Sequence, residues 1–267
     1  MSKNPNILQV VNILAIIITI IVNAMAEIIP VNGVNSGEVS DFYPSLFTPP
    51  GYVFSIWSVI YTLLIVFMVY QALPSQRAAS YLKPTAVFFV LGGIINNSWL
   101  ILFHYAFGQP AIYVFTPILI GLFLVLMLYT YVKMDIGMVN VPLKQKIAVH
   151  LPISVYAGWI SLAVIANIAS VLNVVVPGIP LATQELWTAL VIIVALVITI
   201  LMLIIRRDAA YGLVVIWATV GIATKQSAIP IIYFAALGTA LIIALAILLL
   251  PLITRKGFSK FYLRKEE

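Results

Sequence analysis

Long apolar runs, each closed by a charge, a proline or a glycine, recur along the whole chain. A helix rises about 1.5 Å per residue, so crossing a hydrocarbon layer about 30 Å thick takes roughly 20 apolar residues. Runs of that order lie at 7–29, 52–73, 85–107, 111–131, 147–173, 186–205, 209–224 and 229–253. The pattern predicts an all-α integral membrane protein with eight transmembrane helices. The seventh run is the shortest and holds two glycines, Gly212 and Gly221.

Composition agrees with that reading. Hydrophobic residues make up 63% of the 267 and charged residues only 8%, whereas a soluble domain covers itself with about 25% charged residues. The chain has no cysteine, which excludes disulfides, a thiolate nucleophile and Cys-ligated metal. Two histidines, His104 and His150, are too few for a His-rich metal site. No cofactor is expected.

The net charge of +6 becomes informative once it is sorted by side. With the amino terminus inside and every run crossing, the inner set is Lys3, Arg77, Lys83, Lys133, Lys144, Lys146, Arg206, Arg207, Arg255, Lys256, Lys260, Arg264 and Lys265. Lys225 alone falls outside. Seven or nine spans would scramble this split, so the positive-inside bias predicts eight spans with both termini cytoplasmic; a bacterial plasma membrane is the expected location. The basic excess then meets anionic lipid and requires no nucleic acid partner. Lys3, the first apolar run and Ala24-Met25-Ala26 also resemble a cleavable leader. The run continues through Ile28 and Ile29 and contains Asn12 and Asn23, which favours a retained first helix.

Only the outer segment 30–51 is long enough to have a structure of its own. Its Asn, Gly, Ser and Pro content argues for a turn-rich lid rather than a helix. Pro177, Gly178 and Pro180 mark a second break near 174–184. Beyond it the sixth run and most of the eighth are nearly pure Ile, Leu, Val and Ala, whereas the second, third and fifth carry Trp, Tyr, Asn and Ser in their interiors. Polar groups inside a span are costly unless they face protein or water, so chemistry is expected in the first five helices.

In the second run Trp57 and Tyr61 share a face, roughly 8 and 14 Å inward from Tyr52. That is too deep for an interfacial aromatic belt, although packing alone would also account for them. In the third run Asn96, Trp99 and Phe103 form one stripe. Asn97 points elsewhere and suits interhelical hydrogen bonding. His104 falls near the outer end, within reach of headgroups or water, and His150 reads as a solvated residue at the inner boundary. In the fifth run Trp159, Ala163 and Asn167 form a stripe whose large-then-small order makes a concave surface; small-residue packing at Gly158 and Ala163 is the alternative. An apolar aromatic pocket with a few polar groups is a common form of ligand site.

The same residues resemble a family. The segment PPGYVFSIWSVIY, from Pro49 to Tyr61, is similar to the PPxWVFxxxWxxLY signature of the translocator protein family, also called TspO/MBR or tryptophan-rich sensory proteins. NNSWLILF matches that family's NxxWxxxF at Asn96 and Trp99, and its WxxxAxxxN-like pattern falls on Trp159, Ala163 and Asn167. Tyr52 stands where the family usually has Trp. One residue is missing between Phe54 and Trp57, and Pro152 lies further from Trp159 than the family's proline does. The resemblance covers residues 1–173 as a five-helix bundle and leaves 174–267 as a three-helix extension with a short basic tail. It implies binding of a tetrapyrrole or a sterol-like ligand, lined by Trp57, Tyr61, Asn96, Trp99, Trp159, Ala163 and Asn167 beneath a lid of Pro49, Pro50 and Tyr52.

The expected function is therefore non-enzymatic binding, sensing or translocation of a small apolar or tetrapyrrole ligand, with membrane lipid as the other partner. A secondary transporter is the alternative, with Glu27 its one candidate acid. Paired carboxylates, a Ser-His-Asp arrangement and a phosphate loop are all missing from the sequence, so the usual components of catalysis are not present.

Overall fold

Backbone polar groups find no partners in hydrocarbon, so an apolar run must satisfy its own N–H and C=O groups as a helix. The structure, a computed structural model that describes residues 6–263, follows this rule, with helices and no strand among the described residues. The charges predicted for Lys3, Arg264 and Lys265 lie outside the described residues. In chain order the helices are α1 (Ile7–Ile28), α2 (Ser36–Phe42), α3 (Ile56–Ala72), α4 (Leu82–Tyr105), α5 (Pro110–Tyr113), α6 (Thr116–Lys133), α7 (Leu143–Gln145), α8 (Leu151–Val175), α9 (Leu181–Leu201), α10 (Ala209–Lys225), α11 (Pro230–Ile253) and α12 (Phe258–Leu263). A π-helical turn, Lys146–His150, joins α7 to α8, and a second, Met202–Arg206, extends α9. Seven of these helical stretches are long and apolar enough to cross a membrane. The seventh predicted span, α10, has 17 residues, or about 26 Å, a few ångströms less than the hydrocarbon layer.

The chain divides into two compact units, each made of two stretches of sequence. One comprises Met1–Tyr43 and Trp57–Met134, the other Pro44–Ile56 and Asp135–Glu267.

In the first unit α1 packs on α4, and α4 on α6. The inner face of α1 is its polar one: Gln9, Asn12, Thr19 and Asn23 are buried at helical spacing, while Leu14, Ile18 and Ile21 are exposed. Lipid is as apolar as leucine, so hydrogen bonds and close packing hold such helices together. Asn12 Nδ2 donates to Thr85 Oγ1 at 3.2 Å, and Asn23 Nδ2 to Asn97 Oδ1 at 3.2 Å. Gln9 and Gln71 exchange side chain to backbone bonds. A Cβ on Gly93 would lie 2.7 Å from Thr19 Oγ1, so the glycine permits this approach of α4 to α1.

In the second unit α8 packs on α10, α10 on α11, and α11 on both α9 and α12. Gly158 lets α8 approach α10, since its Cβ would stand 3.1 Å from Val214 Cβ and 3.2 Å from the Tyr211 carbonyl oxygen. That contact favours the packing alternative for Gly158. At the end of α9, Arg206 Nη1 donates to the Ile136 carbonyl at 3.3 Å.

The terminal helix α12 is fastened by Tyr262, whose hydroxyl donates to the Ile247 carbonyl at 2.8 Å. Burial pushes this phenol up to about 12, above its ordinary 10. An unfolded tyrosine loses its proton near 10 while the folded one keeps it to about 12, so its stabilisation is complete below 10 and disappears as pH rises to 12. The loss of stability over that window is expected to be smaller in Tyr262→Phe, compared with the parent by thermal unfolding at stepped alkaline pH.

Three expectations are corrected. The outer segment 30–51 contains a helix, α2, started by a capping box in which Asn35 and Glu38 satisfy each other's backbone N–H. His104 does not reach headgroups or water: it is 0% exposed. Nor is His150 solvated, being buried in the π-helical turn.

Candidate functional site

Each unit holds part of the predicted set. In the first unit α4 places Asn96, Trp99 and Phe103 along one buried stripe, Asn96 being 1% and Trp99 8% exposed. The Trp99 ring stacks on Phe103, with centroids 5.0 Å apart and planes 25° apart. Phe103 meets Tyr113 of α5 at 5.9 Å, and Tyr113 stacks on Tyr43 at 3.8 Å and 17°. The result is a column of four aromatic rings. It runs from the α4 stripe to Tyr43, just past the end of α2.

The Tyr43 hydroxyl donates to the Ala106 carbonyl at 2.7 Å, which ties the end of α2 to the end of α4. Burial raises this phenol above its ordinary value, and a backbone hydrogen bond at Gln109 offsets part of the rise. Within the column Trp99 Nε1 is buried and has no hydrogen-bond partner among the described residues. His104 Nδ1 contacts the Leu100 carbonyl at 2.7 Å, while its Nε2 is buried without a partner among the described residues. Trp57 and Tyr61 stack on each other at 5.7 Å on α3 and are half-buried.

In the second unit Trp159 and Asn167 are buried on α8, and Ala163 between them is half-buried. Trp159 receives Phe54 edge-on at 5.7 Å. The segment 44–56, with Pro49, Pro50 and Tyr52, lies along α10. Trp217 Nε1 donates to the Val53 carbonyl at 3.0 Å, and Tyr52 meets the Trp217 ring edge-on at 5.8 Å. The Tyr52 hydroxyl pairs with Thr224 Oγ1 at 3.1 Å. Lys225 Nζ donates to the Pro49 carbonyl at 3.4 Å, and Gln226 Nε2 to that of Leu46 at 3.1 Å. Beneath these contacts Gly221 leaves room for Val53.

Chemistry was expected in the first five helices; the contacts of segment 44–56 also involve α10. Trp217, Gly221 and Thr224 recur at i, i+4 and i+7 on one face of the seventh predicted span. That spacing was the available signal. Tyr43 and Tyr113 were also missed; they are brought together by tertiary packing of α2, α4 and α5, which no single span reveals.

Stacked rings with few charges can hold a flat or bulky apolar molecule, and a buried N–H can fix its orientation. A family model described as TSPO-like protein matches residues 9–249, extending well beyond Asn173. No curated protein and no solved structure matches the chain.

Proposed function

The chain belongs to the TSPO-like family, and from that premise we propose that it is a membrane-embedded binding protein for a planar or bulky apolar ligand, tetrapyrrole or sterol-like, which it senses or hands on. The observation that carries this reading is the Trp99 indole, buried in a stack of rings with its Nε1 lacking a partner among the described residues. A buried donor left unmet costs about 1–3 kcal/mol. A ligand carrying an acceptor, such as a carboxylate or a carbonyl, would recover that energy while its apolar body stacks on the column. In the first unit the proposed contacts are Asn96 and Trp99, with Trp57 and Tyr61. In the second they are Trp159, Ala163 and Asn167, under a lid of Pro49, Pro50 and Tyr52. Residues 1–173 carry the five-helix portion on this reading, and the 174–267 extension serves to hold the lid. Eight crossings with both termini cytoplasmic complete the proposal.

Protoporphyrin IX titrated into the full chain in detergent, followed by the porphyrin absorbance band and by tryptophan quenching, tests it. Trp99→Phe keeps an aromatic ring for stacking and removes the donor, so affinity is expected to fall about tenfold. Asn96→Ala should weaken binding as well, and Trp187→Phe, at an exposed position of α9, should leave it unchanged. Parent affinity in both pocket variants would count against the site. Saturable ligand movement into proteoliposomes that stops with Glu27→Gln would favour the transporter alternative.

A further inference from the structure

The second unit holds a cavity of about 300 Å³ that the reading above does not use. It lies at the end of the unit formed by the starts of α8 and α10, the loop at Ile136 and Gly137, and α12. Lys146 and Arg207 line it as cations, and Lys146 Nζ also donates to the Tyr262 carbonyl, which fixes the ammonium at the wall. Asp208 also lines it, and its carboxylate accepts the Tyr211 N–H at 3.1 Å as the cap of α10, so the wall carries two cations and one carboxylate held at a helix N-terminus. His150 and Ser154, four residues apart and both buried, contribute further hydrogen-bonding capacity to the wall.

Two departures from regular helix converge here. The π-helical turn Lys146–His150 supplies three of the lining residues, and the turn Met202–Arg206 ends at Arg207. Such turns are frequent at functional sites. Arg207 itself has φ 52°, ψ 40°, a left-handed conformation in which a non-glycine residue is strained. Its guanidinium carbon sits 5.1 Å from the Phe261 ring centroid, which fixes the cation while its N–H donors remain suited to a planar or tetrahedral oxyanion.

The remaining wall is apolar and opens sideways. Ile147, Leu213 and Phe258 line the cavity and are exposed on the surface of the unit, where a membrane-spanning helix meets acyl chains. The charge bias of the sequence assigns this end to the cytoplasmic leaflet.

From the pairing of two cations with an apolar opening, we propose that this cavity binds the phosphate headgroup of an anionic membrane phospholipid. Lys146 and Arg207 hold the phosphate, and the upper acyl chain lies against Ile147 and Leu213. Three hundred cubic ångströms is at the lower end of small-molecule sites, enough for a headgroup and the first carbons of its chains. The site is separate from the aromatic residues assigned above, so either proposal can fail alone.

The test is lipid retention by the full-length protein in mild detergent, measured by native mass spectrometry. Short-chain phosphatidylglycerol, phosphatidylcholine and glycerol 3-phosphate are titrated separately. Phosphatidylglycerol is expected to bind most tightly. Equal retention of phosphatidylcholine would overturn the role of charge, and equal binding of glycerol 3-phosphate would overturn the lipid assignment in favour of a free phosphate site. Arg207→Gly removes the cation while relieving the left-handed strain, and Lys146→Gln removes the other; each is expected to weaken phosphatidylglycerol about fivefold. Leu213→Trp, which fills the apolar side without touching a charge, should weaken it too, whereas Lys133→Gln in the first unit should not. Unchanged phosphatidylglycerol affinity in folded Arg207→Gly, or in Lys146→Gln if the first variant is unstable, would overturn the proposal.

Discussion

Gly137→Ala is expected to lower the thermal midpoint of the protein by about 10 °C, corresponding to a loss of about 3 kcal/mol or more. Two effects combine. Gly137 has φ +79°, a region that costs an alanine about 1–2 kcal/mol. Its new Cβ would also lie 1.9 Å from the Arg206 carbonyl oxygen and 2.8 Å from the carbonyl carbon. Backbone cannot rotate aside as a flexible side chain can, so the 135–137 turn or the end of the Met202–Arg206 turn must move. Detergent-solubilised parent and variant compared by thermal unfolding would show the effect. Gly178→Ala supplies the control, because that glycine has a similar φ of +82° with open space around its Cβ. Conformational strain alone would make the two variants equal; a larger loss at Gly137 identifies the contact with Arg206.

The second large effect is expected at Gly221. A valine there would drive a Cβ to 2.4 Å from Val53 Cγ2, with Pro49 and Pro50 at 3.5 Å. Val53 is 0% exposed and has nowhere to retreat, so segment 44–56 should lift from α10. Trp217→Ala reaches the same end by another route, removing the donor to the Val53 carbonyl and the edge contact with Tyr52. Each change is expected to destabilise by about 2–3 kcal/mol. Both should expose the segment to limited proteolysis and weaken porphyrin binding. Cleavage at the parent rate in both variants would mean that α10 does not hold the segment. Faster cleavage with unaltered affinity would mean that the segment is no lid.

The helices were legible because the length of an apolar run acts on the whole span. Inner faces were harder to read. In water a buried face is the apolar one, but in lipid both faces of α3, α4 and α10 are apolar, and periodicity says little. In α1, whose buried side carries Gln9, Asn12, Thr19 and Asn23, polar residues show the inner face. The helix α2 was concealed by composition: Asn35, Ser36 and Gly37 suggest turns, yet Asn35 and Glu38 stand at capping-box spacing. Trp217 was overlooked because the neighbouring sixth and eighth spans are so uniformly aliphatic. The stripe of Asn96, Trp99 and Phe103 could be read from helical spacing, but its continuation through Tyr113 to Tyr43 could not, since three separate elements supply the rings.

The polar side of α1 also bears on how the chain is made. Asn12 meets Thr85, 73 residues later; Asn23 meets Asn97, 74 residues later; and Gln9 meets Gln71, 62 residues later. At a synthesis rate of about 5–20 residues per second, those partners emerge roughly 3–15 s after α1 itself. During that interval Asn23 Nδ2 keeps its bond to the Thr19 carbonyl within the helix, but Asn12 Nδ2 waits for Thr85, and hydrocarbon offers it no match. The polar side of the nascent α1 is therefore completed in two stages, by Gln71 of α3 and then by Thr85 and Asn97 of α4.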